Sequence, residues 1–374
     1  MTWSSRSDVA LGDVKWPIAR LHDVATIERN AVSVDQIQGG EFYVGLENVT
    51  SDGVFENVVT AGKAGLKSNK FAFTEDHVLY GKLRPYLAKI SAPDFAGICS
   101  TDILPIRPGA RLDRRYLLHY LRTPTMVTHA ASNAVGINLP RLNPKALESF
   151  QIPLPPIEEQ RRIAAVLDAA ETLRAKRRQA LATFDTLTRA IFISMFGDPI
   201  LRSMQLDLVP LGDLLKLKSG QGLSAKAMRP GPHLVYGGNG VVGTHDEYMF
   251  EGSKIVIGRV GVYCGCVHIS EPRSWITDNA LYVSWMSSRL RTTYLAAALD
   301  LANLNRRASQ AAQPLISGGR IYPVEIPVPP LNSQHVFEER TRAITEHRIR
   351  IEEGAEKLNE LFASLQQRAF RGEL

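Results

Sequence analysis

A few stretches of the 374-residue sequence have residue types and spacings that could do chemistry. Gly238-Asn239-Gly240-Val241-Val242-Gly243 satisfies Gly-x-Gly-x-x-Gly, the pattern that seats a dinucleotide pyrophosphate between a strand and a helix. That chemistry needs a helix after the glycines and an acidic residue about 20 positions later. Here Thr244-His245-Asp246-Glu247-Tyr248 follows, which is turn-like, and position 263 is Tyr. A glycine turn between strands is the better expectation. Cys264-x-Cys266-x-His268 would line three ligands on one face of a strand. Zinc takes four ligands and no fourth is near in sequence, so small buried thiols are expected and no metal site is assigned. The third set is cationic. Lys82, Arg84 and Lys89 sit with Tyr86 in YGKLRPYLAK, and Arg141 follows the loop Gly136-Ile137-Asn138-Leu139-Pro140. In the second half Arg259 takes the Lys82-like place, and Arg306 and Arg307 precede a Ser-Gln-Ala-Ala-Gln-Pro loop. Arg and Lys on loops near Asn and Gln suit phosphate positioning and base-edge readout.

Several catalytic signatures do not occur. There is no Gly-x-x-x-x-Gly-Lys-Ser/Thr loop for a nucleotide-driven motor and no Gly-x-Ser-x-Gly elbow. Asn143-Pro144-Lys145 lacks the aromatic residue that grips a flipped adenine in amino-methyltransferases, and Pro93-Asp94 is not followed by Glu-x-Lys of a nuclease centre. No catalytic residue is assigned.

The elements that would position these cations follow from an internal repeat. IPLPPIEEQ at 152–160 returns as IPVPPLNSQ at 326–334, an offset of 174 residues that also matches Leu187 with Leu361 and Phe196 with Phe370. Earlier in the chain the register drifts, as small loop insertions would cause. After each Pro-rich motif comes a segment of about 40 residues with apolar positions spaced three and four apart. In the first, Ile163, Val166, Leu173, Phe184, Leu187 and Ile191 form the predicted seam, broken once by Arg177. In the second, Phe337, Ile344, Ile351, Leu358, Leu361 and Leu365 do, with Gly354 a weak position. Such a stripe must pack, and the other copy is the nearest partner. Because the second block joins the end of the first helix to the start of the second, the helices, if they pair, run antiparallel. The expected fold is α+β: two similar α/β domains (1–156 and 197–330) separated by a long antiparallel two-helix coiled coil (157–196 and 331–374), with pseudo-two-fold symmetry.

Composition fits this plan. Hydrophobic residues make up 44% and charged residues 22%, which is globular composition. Net charge is +6, with +2 in residues 1–156 and +3 in 197–330. These are the two blocks that would face a polyanion. No signal peptide and no membrane span are read, and three Cys are too few for a disulfide framework. A cytoplasmic protein is expected.

IPLPPIEEQRRIAAVLD with LTRAIFISMFGDP closely resembles the conserved region of type I restriction-modification specificity subunits. Tyr236–Tyr248, Gly81–Tyr86 and the final LQQRAFRGEL are similar to signatures of the same family, and the likeness spans essentially the whole chain. Asn332-Ser333-Gln334 departs from the Glu-Gln type of the first helix. The resemblance implies two target recognition domains, each reading one half of a bipartite double-stranded DNA site. It implies no catalysis by this chain and no cofactor bound to it. Two methyltransferase subunits would use S-adenosylmethionine, and two restriction subunits would use ATP and Mg. On this reading Lys82, Arg84, Tyr86, Lys89, Arg141, Asn239, His245, Arg259, Arg306 and Arg307 are the candidate DNA contacts. Two competing readings are a fused enzyme that itself methylates DNA and a coiled-coil scaffold with no DNA role.

Overall fold

The computed structural model describes residues 14–198, 208–309 and 313–374. The chain divides into two compact units, Met1–Lys176 with Ala355–Leu374, and Arg177–Gly354.

Among the described residues of the first unit, β1 (Ala25–Ile27), β2 (Val78–Gly81), β3 (Ile90–Ser91) and β4 (Ile103–Pro108) form an antiparallel sheet in the order β1-β4-β2-β3. Strand β2 and the Ile103–Ile106 stretch of β4 are apolar without a break because both faces are covered. Val78, Tyr80, Leu104 and Ile106 enter the main core, while the alternate residues Leu79 and Ile103 pack on Val44, Phe73 and Cys99. That second layer is a five-stranded sheet in which Phe42–Val44 runs parallel to Gly97–Cys99. Helix α1 (Arg114–Leu121) starts where the Asp113 carboxylate accepts the backbone N–H groups of Arg115 and Tyr116 at 2.9 and 3.0 Å, a side-chain cap. Helix α2 spans Ile157–Phe196. It is rich in Ala, Leu, Arg and Glu and holds neither Gly nor Pro, so nothing in it interrupts the helix.

The second unit repeats the sheet. β5 (Leu215–Ser219), β6 (Ile255–Gly258), β7 (Val267–Ile269) and β8 (Ala280–Met286) lie in the order β5-β8-β6-β7, again antiparallel. Helices α3 (Thr292–Leu301) and α4 (Leu331–Arg371) follow. His233–Gly237 and Gly240–His245 pair antiparallel with Gly237 opposite Gly240. Gly240 has φ +87°, so the Gly-x-Gly-x-x-Gly stretch is a turn between strands. The strand expected to carry Cys264, Cys266 and His268 is only Val267–Ile269: Cys264 sits in a turn with Gly265 at φ +90°, which removes the one-face alternation of the two Cys and His268. Burial pushes the thiols of Cys264 and Cys266 up, as befits packing residues rather than thiolate ligands. The strand Phe42–Val44 ends there because the Asn48 side chain accepts the Gly45 N–H at 2.8 Å and turns the chain.

The repeated Pro-rich motif has the same physical job in each unit. Gln160 is fully buried; its amide donates to the carbonyls of Arg111 and Pro155, and its oxygen accepts the Asp113 N–H. Gln334 does the same with Arg289, Pro329 and Arg291. The Tyr116 hydroxyl donates to the Pro153 carbonyl at 2.8 Å, and Tyr294 to Pro327 at 2.6 Å. Phe370 stacks edge-on to Tyr116 at 5.2 Å, and its repeat partner Phe196 to Tyr294 at 5.0 Å. Each such ring pair contributes about 0.5–1.5 kcal/mol beyond area burial.

Within each unit, α2 and α4 run antiparallel. In the first, Arg162 and Arg174 of α2 donate to the Leu374 carbonyl and to Asn359 Oδ1, at 3.2 and 2.7 Å. In the second, Phe192 meets Phe337 at 5.6 Å. Arg177 there lies over Gly354, where an added Cβ would fall 2.1 Å from its guanidinium. The seam break and the glycine therefore meet each other.

The predicted seam needs a correction. Ile163 and Phe337 are buried, and Val166, Phe184, Leu187, Ile191, Ile344, Ile351, Leu358 and Leu365 are half-buried. Leu173 and Leu361, however, are 54% and 53% exposed. Ala170, which the three-four spacing also places on this seam, is buried, and Leu167 and Phe362, each one residue after Val166 and Leu361, point inward in their place. Paired apolar residues (Val166 with Leu167, Leu361 with Phe362) leave the phase open in sequence, and packing against the sheet domain chooses the larger side chain.

Candidate nucleic-acid interface

The cationic loop after β2 and the one after β6 are built to the same backbone pattern, displaced by 177 residues. Gly81 N–H donates to the Lys89 carbonyl, and Gly258 N–H to that of Cys266. Lys82 N–H donates to the Asp102 carbonyl, and Arg259 N–H to that of Asn279, each at 2.9 Å. The Lys82 and Arg259 carbonyls accept from Leu142 and Ile316, each at 2.9 Å. Leu83 bridges Arg141, and Val260 bridges Leu315. Arg84 N–H reaches the Pro140 carbonyl at 2.7 Å, and Gly261 N–H that of Pro314 at 2.9 Å. Asp102 thus corresponds to Asn279 in the second copy.

Two positions in this loop adopt the left-handed conformation in both copies. Arg84 and Ala88 have φ +50° and +49°, where the second copy has Gly261 and Gly265 at +80° and +90°. A side chain costs roughly 1–2 kcal/mol there. The first copy carries that strain and gains an exposed guanidinium in return. Arg84 Nη2 donates to the Asn138 carbonyl at 3.4 Å.

The side chains of the first unit gather around Asp102. Arg141 donates to both its oxygens, at 3.1 and 3.3 Å, and Lys82 Nζ lies 3.8 Å away. The hydrogen bonds and charge of Asp102 raise the Arg141 guanidinium further above its ordinary value. Tyr86, two residues after Arg84 in the loop, is 53% exposed. Sequence reasoning missed Asp102, and it missed Tyr263, the Tyr86 counterpart, also 53% exposed. Shifting the repeat offset from 174 to 177 would have found Tyr263.

In the second unit Arg259 Nη1 donates to Ser219 Oγ at 3.1 Å and to the Asp278 carbonyl. Arg306 and Arg307 are exposed on a short 3-10 turn, Leu304–Arg307. The turn is docked on the same loop: Asn305 Nδ2 donates to the Cys264 carbonyl at 3.0 Å, and Gly265 leaves room for the Asn305 backbone. Residues 310–312 of the following loop lie outside the described residues. Asn239 is exposed at the hairpin tip.

Two predicted contacts are not on this surface. His245 is 3% exposed, its Nδ1 accepts the Arg229 N–H at 3.1 Å, and its ring packs edge-on to Trp275. It closes the hairpin onto the Arg229 loop. The Lys89 ammonium donates to the Leu46 carbonyl at 2.5 Å and ties the Leu46–Asn48 turn to the loop.

A separate charged cluster lies on the helix side of the first unit. His119, Asp168 and Glu171 bring ligand atoms within 4.8 Å of one another. Asp168 is already engaged by Arg115 Nε at 3.1 Å and His119 Nε2 at 2.7 Å, and Glu171 by Arg122 at 3.0 Å. Burial pushes the Asp168 carboxyl up, but its His119 and Arg115 partners outweigh that and hold it at about 2. The arrangement is an ion-pair hub joining α1 to α2. Among the described residues, no helix is long and apolar enough to cross a membrane.

Comparison with known proteins follows the same line. Residues 13–182 match the family described as type I restriction modification DNA specificity domain. The chain is 32% identical over 136 residues to the type I restriction enzyme EcoDI specificity subunit of Escherichia coli, covering 35% of this chain and 30% of that protein. It is 31% identical over 148 residues to the EcoprrI specificity subunit of the same organism, covering 36% and 37%. The matched stretch thus spans about a third of each curated relative. A crystal structure of a type I restriction-modification S subunit from M. genitalium shares the fold at TM-score 0.64 and 15% identity, over 96% of each chain. A chain solved in work on assembly and conformational transition of the type I R-M system does so at 0.60 and 20%, over 96% of this chain and 98% of that one. The family resemblance carried by the sequence motifs is the one these comparisons find.

Proposed function

We infer from residues 13–182, which belong to the type I restriction modification DNA specificity domain family, that this chain is the DNA-reading specificity subunit of a type I restriction-modification complex. The observation that carries the reading is the duplicated loop: one backbone pattern presents Lys82, Arg84, Tyr86 and Arg141 in one unit and Arg259 and Tyr263 in the other, where the docked turn adds Arg306 and Arg307. A non-catalytic reader needs two such surfaces if its target has two halves. Arg and Lys hold phosphates or guanine edges, and Tyr offers a flat apolar face.

In this reading each sheet domain addresses one half-site, and α2 with α4 sets the distance between them. Methyl transfer and cleavage belong to partner subunits, two for modification and two for restriction, which bring S-adenosylmethionine, ATP and Mg. The missing catalytic signatures in this sequence favour that division of labour over a self-sufficient methyltransferase. The cations on both loops favour it over a bare scaffold.

The test is binding of the assembled complex to its target at several salt concentrations. Lys82→Ala and Arg259→Ala should each weaken binding, and the log-log salt slope should fall by roughly 1 for each phosphate contact removed. Unchanged binding at every salt for both variants overturns the assignment of these loops to DNA.

A further inference from the structure

The loop that Arg84 grips carries an apolar feature that phosphate binding does not use. Ala134–Val135 pairs antiparallel with Arg141–Leu142, and Gly136 at φ +118° turns the chain between them. At its tip Ile137 is 98% exposed, with Val135 at 78% and Leu139 at 47%. A β-branched residue held almost wholly in water at the end of a hairpin gains nothing from the fold, and grouped exposed apolar residues mark interaction sites. The tip is nevertheless fixed in place. Arg84 takes the Pro140 carbonyl with its backbone and the Asn138 carbonyl with its guanidinium, and Arg141 at the hairpin's base is clamped on Asp102.

We propose that Ile137 is a specificity-determining residue that presses on base pairs in a groove of duplex DNA, with Arg84 as its positioning residue. The occupant is named by charge: the apolar tip is rimmed by Lys82, Arg84 and Arg141, a combination that fits a phosphate-walled groove with an apolar floor of base edges and thymine methyl groups. Cations at the rim set the register, and the apolar tip reads. The strained left-handed backbone at Arg84 fits this division, since Gly261 fills the same place in the other unit without a side chain to hold a tip. The inference rests on the DNA-reading function proposed above and adds a second, uncharged mode of contact.

The experiment is selection from a random-sequence duplex DNA pool by the complex isolated on the full-length tagged chain, followed by sequencing and by titration of the enriched sequence. Ile137→Ala should lose discrimination at one or two base pairs of a single half-site. Its affinity for the wild-type sequence should fall about tenfold, with an unchanged salt slope, while Ile137→Val keeps the motif. Ile137 makes so little contact with the fold that its variants should melt with the wild type. A wild-type motif and affinity for Ile137→Ala overturn this inference and leave the DNA-reading function standing. Loss accompanied by a shallower salt slope also overturns it, by assigning the effect to phosphates. Failure of the wild-type complex to enrich any sequence defeats the DNA-reading function itself.

Discussion

Asp102 sits between two of the cations that would meet DNA, and it holds both. A carboxylate at this point neutralises the loop until a phosphate competes for Arg141 and Lys82. Asp102→Asn should therefore tighten non-specific duplex binding at low salt, measured with random-sequence DNA; weaker binding would show that Asp102 serves to orient the cations. Arg84→Gly tests the neighbouring strain. It relieves the left-handed backbone and should raise stability by about 1 kcal/mol in denaturant titration, while DNA affinity falls. The ion-pair hub predicts a pH effect. The Asp168 carboxyl is lower in the folded protein, at about 2, than in the unfolded chain at about 3.9. The stability it contributes is full above pH 4 and lost as pH falls from about 4 to about 2. Asp168→Asn should cost about 1–3 kcal/mol at pH 7, with the difference from wild type shrinking across that acid window. The cations were legible in the sequence because Lys and Arg near Tyr, Asn and Gln stand out. Asp102 was not legible, because nothing local marks an acid that meets Lys82 and Arg141 only through the fold. His245 was misplaced for the same reason: an exposed-looking Gly-Thr-His-Asp turn conceals a ring packed on Trp275, 30 residues away in sequence.

The repeated Pro-rich motif explains how each sheet domain is locked to its helix. Gln160 and Gln334 each make three hydrogen bonds in fully buried sites, and their loss leaves two carbonyls and one N–H unpaired. Gln160→Ala or Gln334→Ala should each cost about 2–4 kcal/mol, read as a lower unfolding midpoint. Tyr116→Phe and Tyr294→Phe should cost about 1 kcal/mol each. Equal costs in the two copies would support one shared design; a cost in one copy alone would show that the second has diverged. The motif was legible as a repeat, and its role became legible only when the carbonyls of Pro155 and Pro329 were seen facing the glutamines. Helix periodicity was legible for the same reason that helices form: the apolar residues recur every three or four. Its phase was not, since Leu361 and Phe362 are adjacent and either could face inward. The structure buries Phe362, beneath the Arg174 guanidinium at 4.4 Å.

At the scale of the whole chain, a repeat of sheet domain and long helix would suit the proposed reading of two separated half-sites. The 174-residue repeat is legible in the sequence. The target sequence was not legible, because base readout depends on docking geometry and DNA shape. If α2 and α4 set the spacing, removing one heptad from each helix should change the gap between half-sites and leave the half-sites themselves intact. The most direct measurement is methylome sequencing of the host with and without this chain. A two-part motif with a fixed gap should disappear from the methylated sites when the chain is deleted. An unchanged methylome, or loss of a single undivided motif, would contradict it.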